Sequence, residues 1–181
     1  MTTRMPALRV LTRTFPIPAA VALALLSACS QPPAPGSQGM RAPNHDIVAA
    51  IRAAGTRDSS VVEIAPLRDP AIDNFMTAAH NAENAGDIRL AIGNADSALR
   101  LAPDAPDILQ YRAELAVRAG DYALAETDAR RSYELGPKLG GLCARNWQTV
   151  LEIEQLKGDA AAVQDARAQR EKCHVNGPVR M

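Results

Sequence analysis

The sequence predicts an all-α chain, a short stack of about three helix-turn-helix repeats, and two repeated features lead to this prediction. Gly-Asp pairs stand at Gly86-Asp87, Gly120-Asp121 and Gly158-Asp159. The spacing between the first two pairs recurs between Pro103 and Pro137. A fixed period of about this length is typical of stacked helical hairpins, which present a surface for binding.

Each Gly-Asp pair predicts a tight turn between two antiparallel helices. Glycine adopts the left-handed conformation that ends one helix, and aspartate accepts hydrogen bonds from the free amides that open the next. A bulky side chain stands at one fixed distance before each glycine, and mostly small residues stand at other fixed distances, so the helix backbones can approach closely. The bulky residues are Phe75, Leu109 and Trp147, and the small ones include Ala79, Ala91, Ala95, Ala113, Ala125 and Ala129.

This pattern resembles the tetratricopeptide repeat family over residues 71–173. The stretch 120–137 is similar to the second helix of that family, and Trp147 stands where its first helix often carries tryptophan. The resemblance implies a right-handed solenoid with repeats at 71–103, 105–137 and 142–173, followed by a tail at 174–181. The third repeat carries Arg167 and Arg170 at small-residue positions, as expected of a terminal repeat whose outer face meets water.

The start of the chain, 1–28, has the pattern of a targeting segment and is set apart from the fold. Three arginines precede an apolar run from Phe15 to Leu26, which is too short to predict a membrane span. The sequence Leu26-Ser27-Ala28-Cys29 resembles the bacterial lipobox, which implies that Cys29 is lipidated and anchors the chain to a membrane. Ser30 then implies the outer membrane, with the domain facing the periplasm. The alternative is an ordinary secretory signal with a chance cysteine.

A linker and a capping segment are predicted between the anchor and the repeats. Residues 29–44 are rich in proline and predict a semi-extended linker. In the capping segment 45–70, a short helix is expected from Asp46 to Ala54, ending at Gly55, and Val61–Ile64 has extended character. Both are expected to cover the exposed face of the first repeat. Asp69-Pro70 predicts the helix cap that opens the array.

Two cysteines are placed symmetrically about the last turn. Cys143 precedes Gly158 by the same number of positions as Cys173 follows it, so both reach the same level of an antiparallel hairpin. An oxidising periplasm permits a disulfide between them. Two unpaired thiols are the alternative. Zinc binding by these cysteines and His174 lacks a fourth ligand, so no metal is predicted.

The composition gives little support for catalysis or for nucleic-acid binding. The chain has 20 basic and 20 acidic residues, and 17 basic residues remain when the three arginines of the targeting segment are left out. The excess of positive charge that is typical of a nucleic-acid binder is therefore absent. His45, His80 and His174 have no neighbours that suggest a nucleophile or a base, and no phosphate-binding loop occurs. We therefore predict a binding protein without a cofactor. An enzyme using His80 and nearby acids is the least favoured alternative.

The family resemblance also implies a groove lined by the first helix of each repeat. Five acids and two arginines stand at these positions, so we expect a partner segment of basic or amide-rich character from a protein of the cell envelope. One alternative is a structural subunit that contacts a larger envelope assembly through the array edges, and another is a simple solvated face. The expected groove residues are Asp73, Met76, His80, Glu83 and Asn84, then Asp107, Gln110, Glu114, Val117 and Arg118, then Arg145, Gln148, Glu152, Gln155 and Leu156.

Overall fold

Seven helices form the part of the chain that the computed structural model describes, residues 39–58 and 67–174. The all-α fold class is confirmed over these residues, and none of the described helices is long and apolar enough to cross a membrane. The expectations for residues 1–28, for Cys29 and for Val61–Ile64 lie outside the described residues. The helices are α1 (Ile47–Arg57), α2 (Pro70–Asn84), α3 (Ile88–Leu101), α4 (Pro106–Ala119), α5 (Tyr122–Leu135), α6 (Gly141–Lys157) and α7 (Ala160–Lys172).

Six of these helices pack as sequential pairs, α2 with α3, α4 with α5, and α6 with α7. The predicted turns are confirmed, because Gly86, Gly120 and Gly158 all have a φ near +80°. The aspartate after each of these glycines accepts a hydrogen bond from the backbone amide three residues later. Asp69 likewise caps α2 by accepting from the Ala71 amide, with Pro70 in the first turn.

The interior of the array is built largely from alanine. Ala79, Ala91, Ala95, Ala113 and Ala129 are all fully buried between helices. Small side chains at these points let neighbouring helices approach closely, and longer residues fill the remaining space. Adjacent hairpins are joined in the same way where α3 meets α4 and α5 meets α6.

The helix that precedes the array does not lie where it was expected. α1 packs against α6 and, to a smaller extent, α4, and its apolar residues do not cover the outer face of the first repeat. It also continues past Gly55 to Arg57, so this glycine does not end the helix. A Cβ atom on Gly55 would lie 2.7 Å from the Cγ and Cδ atoms of Arg145. Gly55 therefore permits a close approach of α1 to α6.

The predicted disulfide between Cys143 and Cys173 is confirmed. It joins the first turn of α6 to the end of α7 across a separation of 30 residues, with the two Cα atoms 5.5 Å apart. Both cysteines are buried, beside Ala54 of α1 and Ala144 of α6. The backbone amide of Gly140 also donates to the carbonyl of Cys173 at 2.8 Å. The last hairpin is thus closed at its open end, close to α1.

Candidate functional site on the first-helix face

The first helices of the three hairpins, α2, α4 and α6, form the surface on which a partner was expected, here called the first-helix face. α1 lies on this face. Its apolar residues Ile47, Val48 and Ile51 are buried in one cluster with residues of α4 and α6. A segment of the chain itself thus occupies part of the expected groove. The cluster residues from α4 and α6 are Ala116, Val117, Ile153 and Leu156.

Glu114 is the centre of a polar network beneath α1. Its side chain is fully buried, and one carboxylate oxygen accepts from Arg52 Nε of α1 at 2.9 Å. The other accepts from Arg145 Nε of α6 at 2.7 Å and from Gln110 Nε2 at 3.1 Å. Gln110 also donates to Thr149 Oγ1 at 3.0 Å. A buried carboxylate needs such paired charges and hydrogen bonds, so the network links α1, α4 and α6.

Glu83 of α2 extends the network to the first repeat. Its carboxylate accepts from Arg52 Nη2 at 2.8 Å and from the Tyr111 hydroxyl at 3.0 Å, and it pairs with Arg118 Nε at 3.1 Å. Burial alone raises the pKa of Glu83, but the hydrogen bonds from Arg52 and Tyr111 outweigh it and hold this pKa below its usual value. Burial and the bond to Glu83 raise the pKa of Tyr111, so its hydroxyl stays protonated.

The residues just before α1 are also fixed to the third repeat. The backbone amide of Arg41 donates to the carbonyl of Leu156 at 2.8 Å. His45 Nε2 lies 3.0 Å from a carboxylate oxygen of Glu152, which is buried. Gln148 Nε2 donates to the other oxygen of Glu152 at 2.7 Å. The chain therefore enters the domain along α6 before it turns onto the first-helix face.

The expected groove residues divide into three groups by exposure. The residues under or beside α1 are buried, while those of the first repeat and at the margins are mostly open to solvent. A partner that used Glu114 or Val117 would have to displace α1, whereas Glu152 contacts His45 and Gln148 bonds to Arg170 of α7. The buried residues are Gln110, Glu114, Val117, Gln148, Glu152 and Leu156, the half-buried ones are Met76, Glu83, Asp107 and Arg145, and the exposed ones are Asp73, His80, Asn84, Arg118 and Gln155.

The open part of the first-helix face is a cleft of about 470 Å³ beside the second half of α1. His80 and Tyr111 form its aromatic wall, with ring centroids 4.3 Å apart and the planes tilted by 49°. Arg52 and Arg145 bring positive charge to the cleft, and Glu83 brings negative charge. This cleft is one accessible part of the predicted groove.

The sequence reasoning missed Arg52, which supplies the counter-charge to the acids of the face. The excess of five acids over two arginines was interpreted as complementary to a basic partner. Arg52 of the chain itself pairs with two of those acids, Glu83 and Glu114. The available signal was an arginine directly after Ile51 in a short amphipathic helix, in a chain whose predicted groove has an excess of acids.

Among residues 39–58 and 67–174, no three histidine, cysteine, aspartate or glutamate side chains are grouped so that they could hold a metal ion. The histidines of this part are engaged with neighbours. His45 contacts Asn44 and Glu152, His80 stacks on Tyr111, and His174 Nδ1 lies 2.8 Å from an Asp58 oxygen. The described site is thus built from ion pairs and aromatic contacts.

Comparison with solved structures shows a similarity to a domain of an envelope lipoprotein. The chain is similar to the globular C-terminal domain of LpoP from P. aeruginosa, with a TM-score of 0.52 and 28% sequence identity. The match covers 60% of this chain and 100% of that domain, which belongs to an envelope lipoprotein and has a tetratricopeptide-like helical fold. No protein-family model matches the chain, and no curated protein does either.

Proposed function

We propose that this protein is a periplasm-facing lipoprotein, anchored through Cys29, whose helical domain binds a segment of another envelope protein. The observation that carries the proposal is the match to the whole globular domain of an envelope lipoprotein. A stack of helical hairpins provides rigid, extended surfaces that suit a peptide or a helix. The lipobox resemblance at Leu26–Cys29 supports the same location.

The open cleft on the first-helix face is the first surface on which we expect a partner. It contains His80 and Asn84, which are exposed, and it borders the Arg52–Glu83 ion pair. Partners of mixed polarity suit this cleft because it offers an aromatic wall together with both signs of charge. Gln110 and Glu114 remain predicted contact residues only for a partner that replaces α1. Gln148 and Glu152 remain so only for a partner that displaces Arg170 and His45 from them.

A second candidate surface is favoured by exposed leucines. Leu101 ends α3, Leu135 ends α5, and Leu139 follows α5, and each is about half exposed. Because α3 and α5 occupy equivalent places in successive hairpins, Leu101 and Leu135 lie at the same end of their hairpins. Exposed leucines at equivalent positions of successive hairpins are candidates for a contact surface, so this end of the hairpins suits a subunit of a larger envelope assembly.

The experiment that tests the proposal is cross-linking of the full acylated protein in its native envelope. We would compare the wild type with a cleft variant, His80→Ala with Asn84→Lys, and an end variant, Leu101→Ser with Leu135→Ser. All four residues are at least partly exposed, so the fold should survive, unlike in variants of the buried Glu114. Melting temperatures serve as the control.

Each result assigns a role. A defined partner lost only in the cleft variant supports a groove adaptor, and one lost only in the end variant supports the assembly subunit. Absence of any cross-linked protein, or membrane association that is unchanged when Cys29 is replaced by serine, would count against an anchored scaffold.

A further inference from the structure

Asn146 of α6 is a fully buried amide without a hydrogen-bond partner. Neither its Oδ1 nor its Nδ2 atom has one, and the nearby Trp147 Nε1 also lacks one. Buried polar groups of this kind are rare because burial removes their bonds to water without replacement. An unpaired donor and an unpaired acceptor on one side chain therefore require a physical explanation.

Asn146 and Trp147 are among the residues that line a cavity between α5 and α6, here called the Asn146 pocket. Its volume is about 230 Å³, and Ala129, Val150 and Trp147 contribute apolar walls. It lies between the second helix of one hairpin and the first helix of the next, so it is separate from the cleft beside α1. The Asn146 pocket is thus mainly apolar, with one amide that can both donate and accept.

Aromatic and cationic contacts hold the wall of the pocket in place. Tyr133 meets Trp147 edge to face, with ring centroids 5.0 Å apart, and the Arg130 guanidinium lies 5.9 Å from the Trp147 ring centroid. Arg130 is itself fixed by Glu126 at 2.7 Å. A pre-organised aromatic wall lowers the entropy cost of binding, and aromatic residues of this kind are typical anchors of protein interfaces.

The rim of the pocket carries one carboxylate without an ion-pair partner in the described part of the chain, close to the Lys138 ammonium group, which also lacks one there. Arg130 pairs with Glu126, and Lys138 donates to the backbone carbonyls of Tyr133 and Glu134. The carboxylate of Glu134 is exposed and has no ion-pair or hydrogen-bond partner among the described residues. A cationic group of a ligand would therefore be favoured beside this rim.

We propose that the Asn146 pocket holds one apolar side chain of an extended partner peptide, with the peptide backbone paired to Asn146 and a basic residue beside Glu134. A peptide group presents an N–H and a C=O, which match the two free groups of the asparagine amide. The volume is below the range of about 300–1,000 Å³ that drug-sized ligands occupy, and well above the ~30 Å³ of one water, so it suits a single side chain.

An N-acetylated sugar carries the same amide group but fits the walls less well. Its ring hydroxyls would need several polar partners, whereas the walls of the pocket are mainly apolar. The peptide assignment rests on the proposed function, because it takes the ligand to be a segment of a protein partner. It adds the position of an anchor site and the chemistry of the segment.

The proposal gives Asn146 a stability signature that a structural role would not produce. An asparagine that supports the fold would destabilise the domain when removed, since its partners would be left unpaired. Asn146 has no such partners, so Asn146→Ala should leave the melting temperature unchanged or raise it. The same variant should lose peptide binding, which is the expected trade between stability and function.

Trp147 provides the measurement, because it is the chain's only tryptophan and lines the Asn146 pocket. We would titrate the purified full chain with acetyl-Lys-Leu-Lys-amide and follow the tryptophan emission. A saturable change is expected, weakened at least about tenfold in Asn146→Ala and unaltered in the exposed control Asn81→Ala. Acetyl-Glu-Leu-Glu-amide should bind several-fold more weakly, and Glu134→Gln should reduce that difference.

Other outcomes would overturn the assignment. A response to N-acetylglucosamine but not to the peptide would make the site a sugar site, and no response to either would leave Asn146 without this role. Stronger peptide binding after truncation at His174 would show that residues 175–181 occupy the pocket in the intact chain, and a concentration-dependent change without peptide would indicate a second copy. Since this titration needs no partner, its failure is distinguishable from a failed cross-link in the envelope.

Discussion

At the scale of single residues, Arg112 shows how an ion pair replaces an apolar contact. The family resemblance leads to an expectation of leucine at this position of the first helix, yet Arg112 stands there. Its Nε and Nη2 atoms donate to the two oxygens of Asp128 at 2.6 and 2.8 Å, and its Nη1 donates to Asp96 at 2.7 Å. The hydrogen bonds to Asp128 and Asp96 raise the pKa of Arg112 further, so it stays charged. One side chain thereby joins α3, α4 and α5.

Arg112→Met should therefore lower the stability of the domain by about 2–3 kcal/mol. The cost arises because Asp128, only 2% exposed, would be left charged without its partner. The matched control is Arg131→Met, since the Arg131–Asp104 pair is more than half exposed and should contribute less than about 1 kcal/mol. Urea unfolding of the three proteins measures both effects, and equal losses would contradict the prediction.

Acid should weaken the contact between α1 and the first repeat through Glu83. The pKa of this group is lower in the folded protein than its ordinary value of 4.5, so the folded state is favoured when Glu83 is ionised. This contribution is fully present above pH 4.5 and is lost as the pH falls through the lowered pKa. Melting temperatures measured between pH 7 and about pH 3 should fall less steeply in Glu83→Gln than in the wild type. Parallel curves for the two proteins would contradict the prediction.

At the scale of elements, the position of α1 depends on a close backbone contact that tolerates no side chain. A Cβ atom on Gly141, at the start of α6, would lie 2.9 Å from the carbonyl oxygen of Gly55. The neighbour is backbone, so it cannot move aside as the end of a long side chain would. This contact, the apolar cluster around Ile51 and the Arg52 ion pairs together hold α1 on the first-helix face.

Gly141→Ala should accordingly destabilise the domain by about 1–3 kcal/mol, through overpacking against α1. Gly93→Ala is the matched control, because Gly93 lies within α3 and a Cβ atom there meets nothing within 4 Å. The control should instead stabilise the domain by about 0.5–1 kcal/mol. Denaturant unfolding gives the sign of each change, and hydrogen exchange of the α1 amides shows whether the loss is centred there.

The elements also show why some parts of the fold could be predicted and others could not. The three turns follow from local chemistry, since glycine and aspartate determine the helix ends within a short stretch of chain. The site of α1 does not, because the apolar pattern of Ile47, Val48 and Ile51 says which side is buried but not which surface it meets. The Arg52–Glu114 bond spans 62 residues, and a repeat pattern contains no information about such a pairing. Asn146 was missed because it occupies none of the positions that the three repeats share.

At the scale of the whole molecule, the disulfide closes the terminal hairpin, which has a neighbouring hairpin on one side only. Replacing both Cys143 and Cys173 with serine should lower the stability by about 3–4 kcal/mol, as expected for a loop of 30 residues in the chain-entropy model. Thermal melting of the oxidised wild type, the reduced wild type and the double variant tests this. The reduced protein and the variant should agree, and no difference from the oxidised protein would refute the prediction.

The route by which the chain enters the domain also decides how it would respond to mechanical force. A pull from the N-terminal side of residue 39 acts first on the Arg41–Leu156 backbone bond, then on His45 and Glu152, and then on α1. The hairpins lie beyond α1 along the chain, and the last of them is closed by a covalent bond. Under tension α1 would therefore peel away before the array unfolds, which would uncover Glu114 and the rest of the first-helix face.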